Sequence, residues 1–227
     1  MSQGLSVSDY TTLVFDCDGV VLDSNKVKTE AFYQATLPYG EAAAQAMVDY
    51  HVANGGVSRY KKFAHFLEQI APKHAAQRNL AEQSPDLEAL LQAYAGHVRE
   101  GLLSCDLASG LEALREQTPS ARWLIVSGGD QVELRDVFAS RGIAAWFDSG
   151  IFGSPDTKDE ILARELASGN IQQPALFLGD SKYDHQASSA AGLDFVFLSG
   201  WSEVADWQHW VASEGITVRQ DIQALTE

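Results

Sequence analysis

The chain has 227 residues, of which 31 are acidic and 16 basic, for a formal charge of −15, and 45% of it is hydrophobic. That length exceeds the common single-domain size of roughly 100–150 residues, so one large domain or a core with a second module is expected. The apolar share excludes wholesale disorder, and the acidity excludes a sequence-independent nucleic-acid binder, which needs a basic footprint to neutralise phosphates.

Taken from the start, the segment MSQGLSVSDY has no basic stretch followed by an apolar run, and no window approaches the ~18 consecutive apolar residues of a membrane span. Cys17 and Cys105 are too few for a disulfide framework and suit a reducing compartment. A soluble, cytoplasmic protein is expected, without membrane or nucleic-acid partners, as a monomer or homodimer.

Four short apolar runs, 12–15, 123–126, 175–178 and 195–198, read as strands. They are continuously apolar instead of alternating, as in a parallel sheet covered by helices on both faces. Helical patterns lie between them at 110–117, 130–141 and 157–168. Strand alternating with helix predicts an α/β fold, a doubly wound Rossmann-like parallel sheet. Residues 25–103 differ: rich in Ala, Gln, Leu, Tyr and His, they show helical periodicity at 61–70 and 87–98 and no buried strand. The expected division is an α/β core of 1–24 and 104–227, with an all-helical cap of 25–103 inserted after the first strand. An insertion there sits at the carboxyl end of a strand, where open α/β sheets bind ligands.

The densest chemical signal follows that strand. Asp16-Cys-Asp18-Gly19 puts two carboxylates at a spacing of two on an extended backbone, then a glycine that permits a sharp turn, with Asp23 and Ser24 beyond it. Solvated turn aspartates, or the DxD pair of metal-dependent glycosyltransferases, match the same local string. After the third apolar run comes Gly179-Asp180-Ser181-Lys-Tyr-Asp184, two more carboxylates able to meet the first pair at one sheet edge. Asp180 or Ser181 also suits a helix N-cap. Aspartates without His or Cys point to Mg²⁺ over Zn²⁺. Ser127 ends the second run before Gly128-Gly129, where a hydroxyl and backbone N–H groups can hold a phosphate oxygen or simply cap a helix. Lys158 opens a helix, where its charge opposes the helix dipole.

In this order the motifs resemble the haloacid dehalogenase-like hydrolase superfamily, in its aspartyl-phosphate phosphatase branch with a helical cap. Members similar to phosphoglycolate phosphatase and β-phosphoglucomutase carry DxDG(V/T)xxD(S/T), a strand-end Ser or Thr, a Lys, and GDSxxD. The resemblance covers nearly the whole chain. It implies that Asp16 is the nucleophile forming an aspartyl-phosphate and Asp18 the general acid and base. It implies Mg²⁺ held by Asp16, the Asp18 carbonyl and Asp180, with Asp184 close by or acting through water. Ser127, Gly128 and Lys158 are then the phosphate-binding set. Asp18 disfavours the dehalogenase branch, which lacks it. A receiver domain shares strand-end aspartates but is about half this length.

In the cap region, Asn54-Gly-Gly-Val-Ser-Arg59 resembles the specificity loop of these enzymes, with Arg59 reaching toward the substrate. Residues 51–78 hold five Lys/Arg and one acidic residue, the one basic stretch of an acidic chain. Lys61 and Lys62 fit either a solvated helix face or further contacts to an anion. Lys28 stands near the hinge, where some similar mutases carry a His, and Ser24 marks the hinge itself. Trp201, Trp207 and Trp210 suggest an aromatic cluster that docks a helix, with a dimer contact second. The expected activity is a Mg²⁺-dependent phosphatase of a small phosphorylated metabolite such as a sugar phosphate. A phosphomutase of the β-phosphoglucomutase type is the alternative.

Overall fold

The computed structural model describes residues 5–74 and 86–226; Arg78 of the basic stretch lies outside them. Its centre is a six-stranded parallel sheet in the order β3-β2-β1-β4-β5-β6, formed by β1 (Thr12–Phe15), β2 (Arg122–Asp130), β3 (Ile151–Ser154), β4 (Ala175–Gly179), β5 (Asp194–Leu198) and β6 (Thr217–Arg219). All four residues of β1 and all five of β4 are buried, as continuous apolar runs require when helices cover both faces. Phe15 pairs with Ile125 on one side and Leu178 on the other. The chain steps outward from β1 to β2 and β3, then returns to β4 on the opposite side. The crevice at the carboxyl ends of β1 and β4 is therefore a topological switch point.

Two strands were not legible as apolar runs. β3 reads Ile-Phe-Gly-Ser, too short and glycine-broken to stand out, and β6 is a three-residue edge strand that is not fully buried. Three helices around the sheet agree with the expected spans, α6 (Leu111–Gln117), α7 (Gln131–Ser140) and α8 (Lys158–Ala167), and α9 (Lys182–Ala190) follows β4. Thr157 and Ser181 each form a capping box at the start of α8 and α9, satisfying N–H groups the helices cannot.

Between β1 and α6 run the helices α1 (Asn25–Thr36), α2 (Glu41–Ala53), α3 (Arg59–His65), α4 (Ala71–His74) and α5 (Leu87–Ser104). They build their own centre from helical stripes. In α5, Leu90, Tyr94, Val98 and Leu102 recur every fourth residue and are all buried. The Phe32 ring of α1 meets Phe63 and Tyr94 at centroid distances of 5.0 and 4.5 Å. Each such ring removes a large apolar area from water, about 1.5–3 kcal/mol per fully buried side chain.

α10 (Trp207–Glu214) docks on β5 through Trp207 and Trp210, 5.7 and 5.3 Å from the Phe197 ring. Trp201 packs separately against the larger core cluster, so the three tryptophans do not form one group. Cys17 is fully buried in the core, and both cysteines are free. No helix among the described residues is long and apolar enough to cross a membrane.

Candidate active site

The ends of β1 and β4 bring the two acidic motifs together. The Asp16 N–H bonds the Leu178 carbonyl at 2.9 Å, which sets Asp16 beside Asp180. Carboxylate oxygens of Asp16, Asp180 and Asp184 lie within 4.8 Å of one another, and all three residues are buried. Lys158 crosses from the first turn of α8 to pair with Asp184 and, at 2.9 Å, with Asp16 Oδ2. Its helix-dipole misfit is offset by these two carboxylates. Burial disfavours its charge, but Asp16 and Asp184 more than compensate, so its affinity for a proton rises. Asp16 is pushed up to about 7 by burial, against the pull of Lys158 and with repulsion from Asp184 and Asp18 added. Asp180 is driven well above the ordinary range by burial and by the charges of Asp16 and Asp184.

Asp184 has little capacity left. Its Oδ2 accepts from Asp180 N at 3.2 Å, Ser181 N at 3.0 Å and Ser181 Oγ at 2.7 Å, while Oδ1 pairs with Lys158. It fixes the turn and the lysine more than it faces the cleft. Asp18 is held by Ser24 Oγ, which donates to Oδ1 at 2.6 Å, and by Lys28, which bonds Oδ2. Burial alone would raise its carboxyl, yet the charge and hydrogen bond of Lys28 and the bond from Ser24 leave it below the ordinary value. Ser24 is fully buried, and its hydroxyl is committed to Asp18.

Ser127 is also buried, with Oγ accepting from Gly129 N at 3.1 Å. Gly128 and Gly129, not Ser127, line the cleft above the acidic cluster. Lys28, Arg59, Lys62 and Tyr94 line its other side. Arg59 does not extend a free guanidinium into it: both terminal nitrogens bond Glu133 of α7, Nη1 to Oε2 at 3.2 Å. Lys61 is exposed, but Lys62 is not a solvated cation, being only 2% exposed. Its buried stripe with Arg59, Phe63 and Phe66, at i, i+3, i+4 and i+7, was the available signal. Asn25 also escaped notice; its Nδ2 donates to Asp180 Oδ2 at 2.7 Å and to the Trp201 carbonyl at 2.9 Å. Asparagine at a helix start reads as ordinary capping and gives no separate sign.

A family model described as a haloacid dehalogenase-like hydrolase matches residues 10–192. No curated protein matches the chain in sequence. Among solved structures, a predicted phosphoglycolate phosphatase from Haemophilus somnus superimposes with a TM-score of 0.73 at 18% identity, covering 97% of each chain. A protein from Lactobacillus plantarum, also described as a phosphoglycolate phosphatase, gives 0.68 at 21% identity, covering 94% of this chain and 96% of the other. The β-phosphoglucomutase of Clostridium difficile gives 0.67 at 15% identity, covering 94% and 92%.

Proposed function

The chain belongs to the haloacid dehalogenase-like hydrolase family, and on that premise we propose that it is a Mg²⁺-dependent phosphatase of a small phosphorylated metabolite. The observation that carries this reading is the meeting of Asp16, Lys158 and Asp180 at the ends of the two central strands, beneath a helical cover. In this proposal residues 25–103 are the cap, and 1–24 with 104–227 the core.

The donor set fits the ion. Three clustered carboxylates without His or Cys are hard oxygen ligands of the kind Mg²⁺ takes, and burial, with repulsion among these carboxylates, raises the proton affinity of Asp16 and Asp180, a cost that a bound cation would offset. Asp16, the Asp18 carbonyl and Asp180 would hold it, with Asp184 behind them. When bound, Mg²⁺ would neutralise charge on the phosphoryl group.

Asp16 attacks phosphorus, the bond to the leaving oxygen breaks, and an aspartyl-phosphate forms. Lys158 holds Asp16 in place and offsets the charge of the incoming phosphate; the backbone of Gly128, at the cleft wall, would meet the phosphoryl oxygens. Between them, Asp18 and Lys28 carry the proton that the leaving oxygen takes. Asp18, ionised by its pairing with Lys28, then removes a proton from the water that opens the intermediate. No geometric observation favours return of the phosphoryl group to a sugar hydroxyl, the mutase alternative.

The test is phosphate release over a panel of sugar phosphates, nucleotides and phosphoglycolate, with Mg²⁺ and with chelator. Asp16→Asn is expected to lose at least ~10³-fold in rate, as removal of a nucleophile does. Wild type and variant equally inert with Mg²⁺ across the panel would overturn the reading.

A further inference from the structure

Of the four cations around the cleft, three are held in ion pairs and one is not. Lys158 is matched by Asp16 and Asp184, Lys28 by Asp18, and Arg59 by Glu133. Lys62 lines the same cleft, is 2% exposed, and forms no ion pair among the described residues. Its ammonium donates to His51 Nδ1 at 2.7 Å and approaches the His51 carbonyl at 3.4 Å. Asp18 and Glu203 act on it through space, without a bond to it.

His51 compounds the imbalance. An imidazole that accepts at Nδ1 carries its proton at Nε2, and that buried Nε2 has no hydrogen-bond partner. A buried ammonium facing a neutral ring, with the Phe32 face 5.5 Å away, is an arrangement that folding alone disfavours. An acceptor with one negative charge supplies what is missing.

We propose that Lys62, backed by His51, binds a carboxylate on the substrate, so that the phosphate monoesters this chain takes are those of hydroxy acids or sugar acids. The proposal deepens the phosphatase reading above and rests on it. The surroundings select a carboxylate over a second phosphate: Lys62 alone is unpaired, a phosphate dianion would find Lys28 and Arg59 already committed, and Asp180 and Glu203, which line the same cleft, repel the larger charge more. A neutral sugar would leave Lys62 buried without a counter-charge, and sites built around a buried polar group discriminate strongly against analogues that cannot pair with it.

Matched pairs test this on the full chain with Mg²⁺: 3-phosphoglycerate against glycerol 3-phosphate, and 6-phosphogluconate against sorbitol 6-phosphate. Each pair differs only by a carboxylate in place of a hydroxymethyl group, and the two lengths sample different spans of the cleft. The wild type is expected to favour the acid in at least one pair by on the order of 10²-fold in kcat/KM, mostly in KM. In Lys62→Met the preference within that pair collapses toward unity, and in Lys62→Arg part of it returns. Equal kcat/KM within both pairs for the wild type overturns the carboxylate and leaves the phosphatase standing. Faster turnover of glucose 1,6-bisphosphate than of either acid overturns it in favour of a second phosphate. No release from any ester sinks both readings. The wild-type comparison needs no variant, so misfolding of Lys62→Met does not remove the test.

Discussion

Arg59 and Glu133 join the helical insertion to the sheet domain through a two-pronged ion pair between α3 and α7. Both side chains are largely buried, the Arg59 guanidinium also lies 4.8 Å from the Tyr94 ring centroid, and next to it Tyr60 donates to Asp130 at 2.7 Å. Removing one member of a buried pair costs about 3–5 kcal/mol when the other must stay buried unpaired. Glu133→Gln therefore shifts the molecule toward an open arrangement in which Arg59 is hydrated. KM is expected to rise by roughly tenfold, about 1.4 kcal/mol, and amide exchange over residues 59–65 to quicken. A variant with wild-type KM and wild-type exchange in that segment would show that the pair does not govern closure.

Gly128, at the cleft wall, has a steric reason to be glycine. A Cβ there would stand 2.2 Å from the Gly56 carbonyl oxygen, a backbone atom that cannot swing aside. Gly56 itself has φ +78° and its missing Cβ would be 3.0 Å from Ser181 Oγ, so the loop before α3 is pressed onto the sheet edge. Gly128→Ala should leave the sheet domain folded, because β2 tolerates an alanine, while preventing this loop from seating. The expected result is a near-native melting temperature with kcat/KM down by at least ~10²-fold, since a displacement near 1 Å can cost that much. A large fall in melting temperature together with retained activity would contradict it.

The sheet domain was legible because its strands are buried on both faces and announce themselves as apolar runs; β3 and β6 escaped because they lie at or near the edge and carry glycine or polar residues. The acidic motifs were legible because chemistry fixes both residue type and spacing, as at Asp16, Asp18, Asp180 and Asp184. The insertion was legible as helices but not in its contacts. Arg59 was expected to reach toward the substrate and pairs with Glu133 instead, Lys62 fitted a solvated face as well as an anion contact, and only their spacing with Phe63 and Phe66 places both on a buried face. Their partners, His51 and Glu133, lie 11 and 74 residues away in the chain, contacts that no local pattern encodes. The net charge of −15 is silent about the site for a related reason: four of the aspartates face lysines and one another there, and the total says nothing of that local balance.

The acidic cluster predicts the effect of metal on stability. Asp16 and Asp180 are buried close together and repel, so an ion that binds the folded state alone stabilises it, by about 2.7 kcal/mol at a hundredfold excess over Kd. For a chain of this size that corresponds to a rise in Tm of roughly 5–10 °C. Chelation should reverse the rise, and Asp180→Asn should abolish most of it. An equal rise in Asp180→Asn would mean that Mg²⁺ binds elsewhere.

Lys62 predicts a pH dependence of stability distinct from that of the acidic cluster. Burial, with repulsion from Lys28, holds its ammonium down at about 7, against an ordinary 10.5. Asp18 and Glu203 pull the other way, Lys158 adds to the repulsion, and His51, held down at about 2 by burial and by Lys62 and Lys28, stays neutral throughout. Below pH 7 both folded and unfolded chains carry the proton, and the cost of burying it is present in full. Between about 7 and 10.5 the unfolded chain binds a proton that the folded one does not, so stability rises with pH, by at most ~1.4 kcal/mol per unit. Other groups titrate in the same range, and the informative quantity is the difference between wild type and Lys62→Met, measured by urea unfolding at pH 6, 8 and 10. The wild type should gain on the variant as pH increases; a constant difference would show that Lys62 keeps an ordinary proton affinity. A saturating carboxylate ligand should flatten the difference, because it gives the buried ammonium its counter-charge and keeps the proton in place.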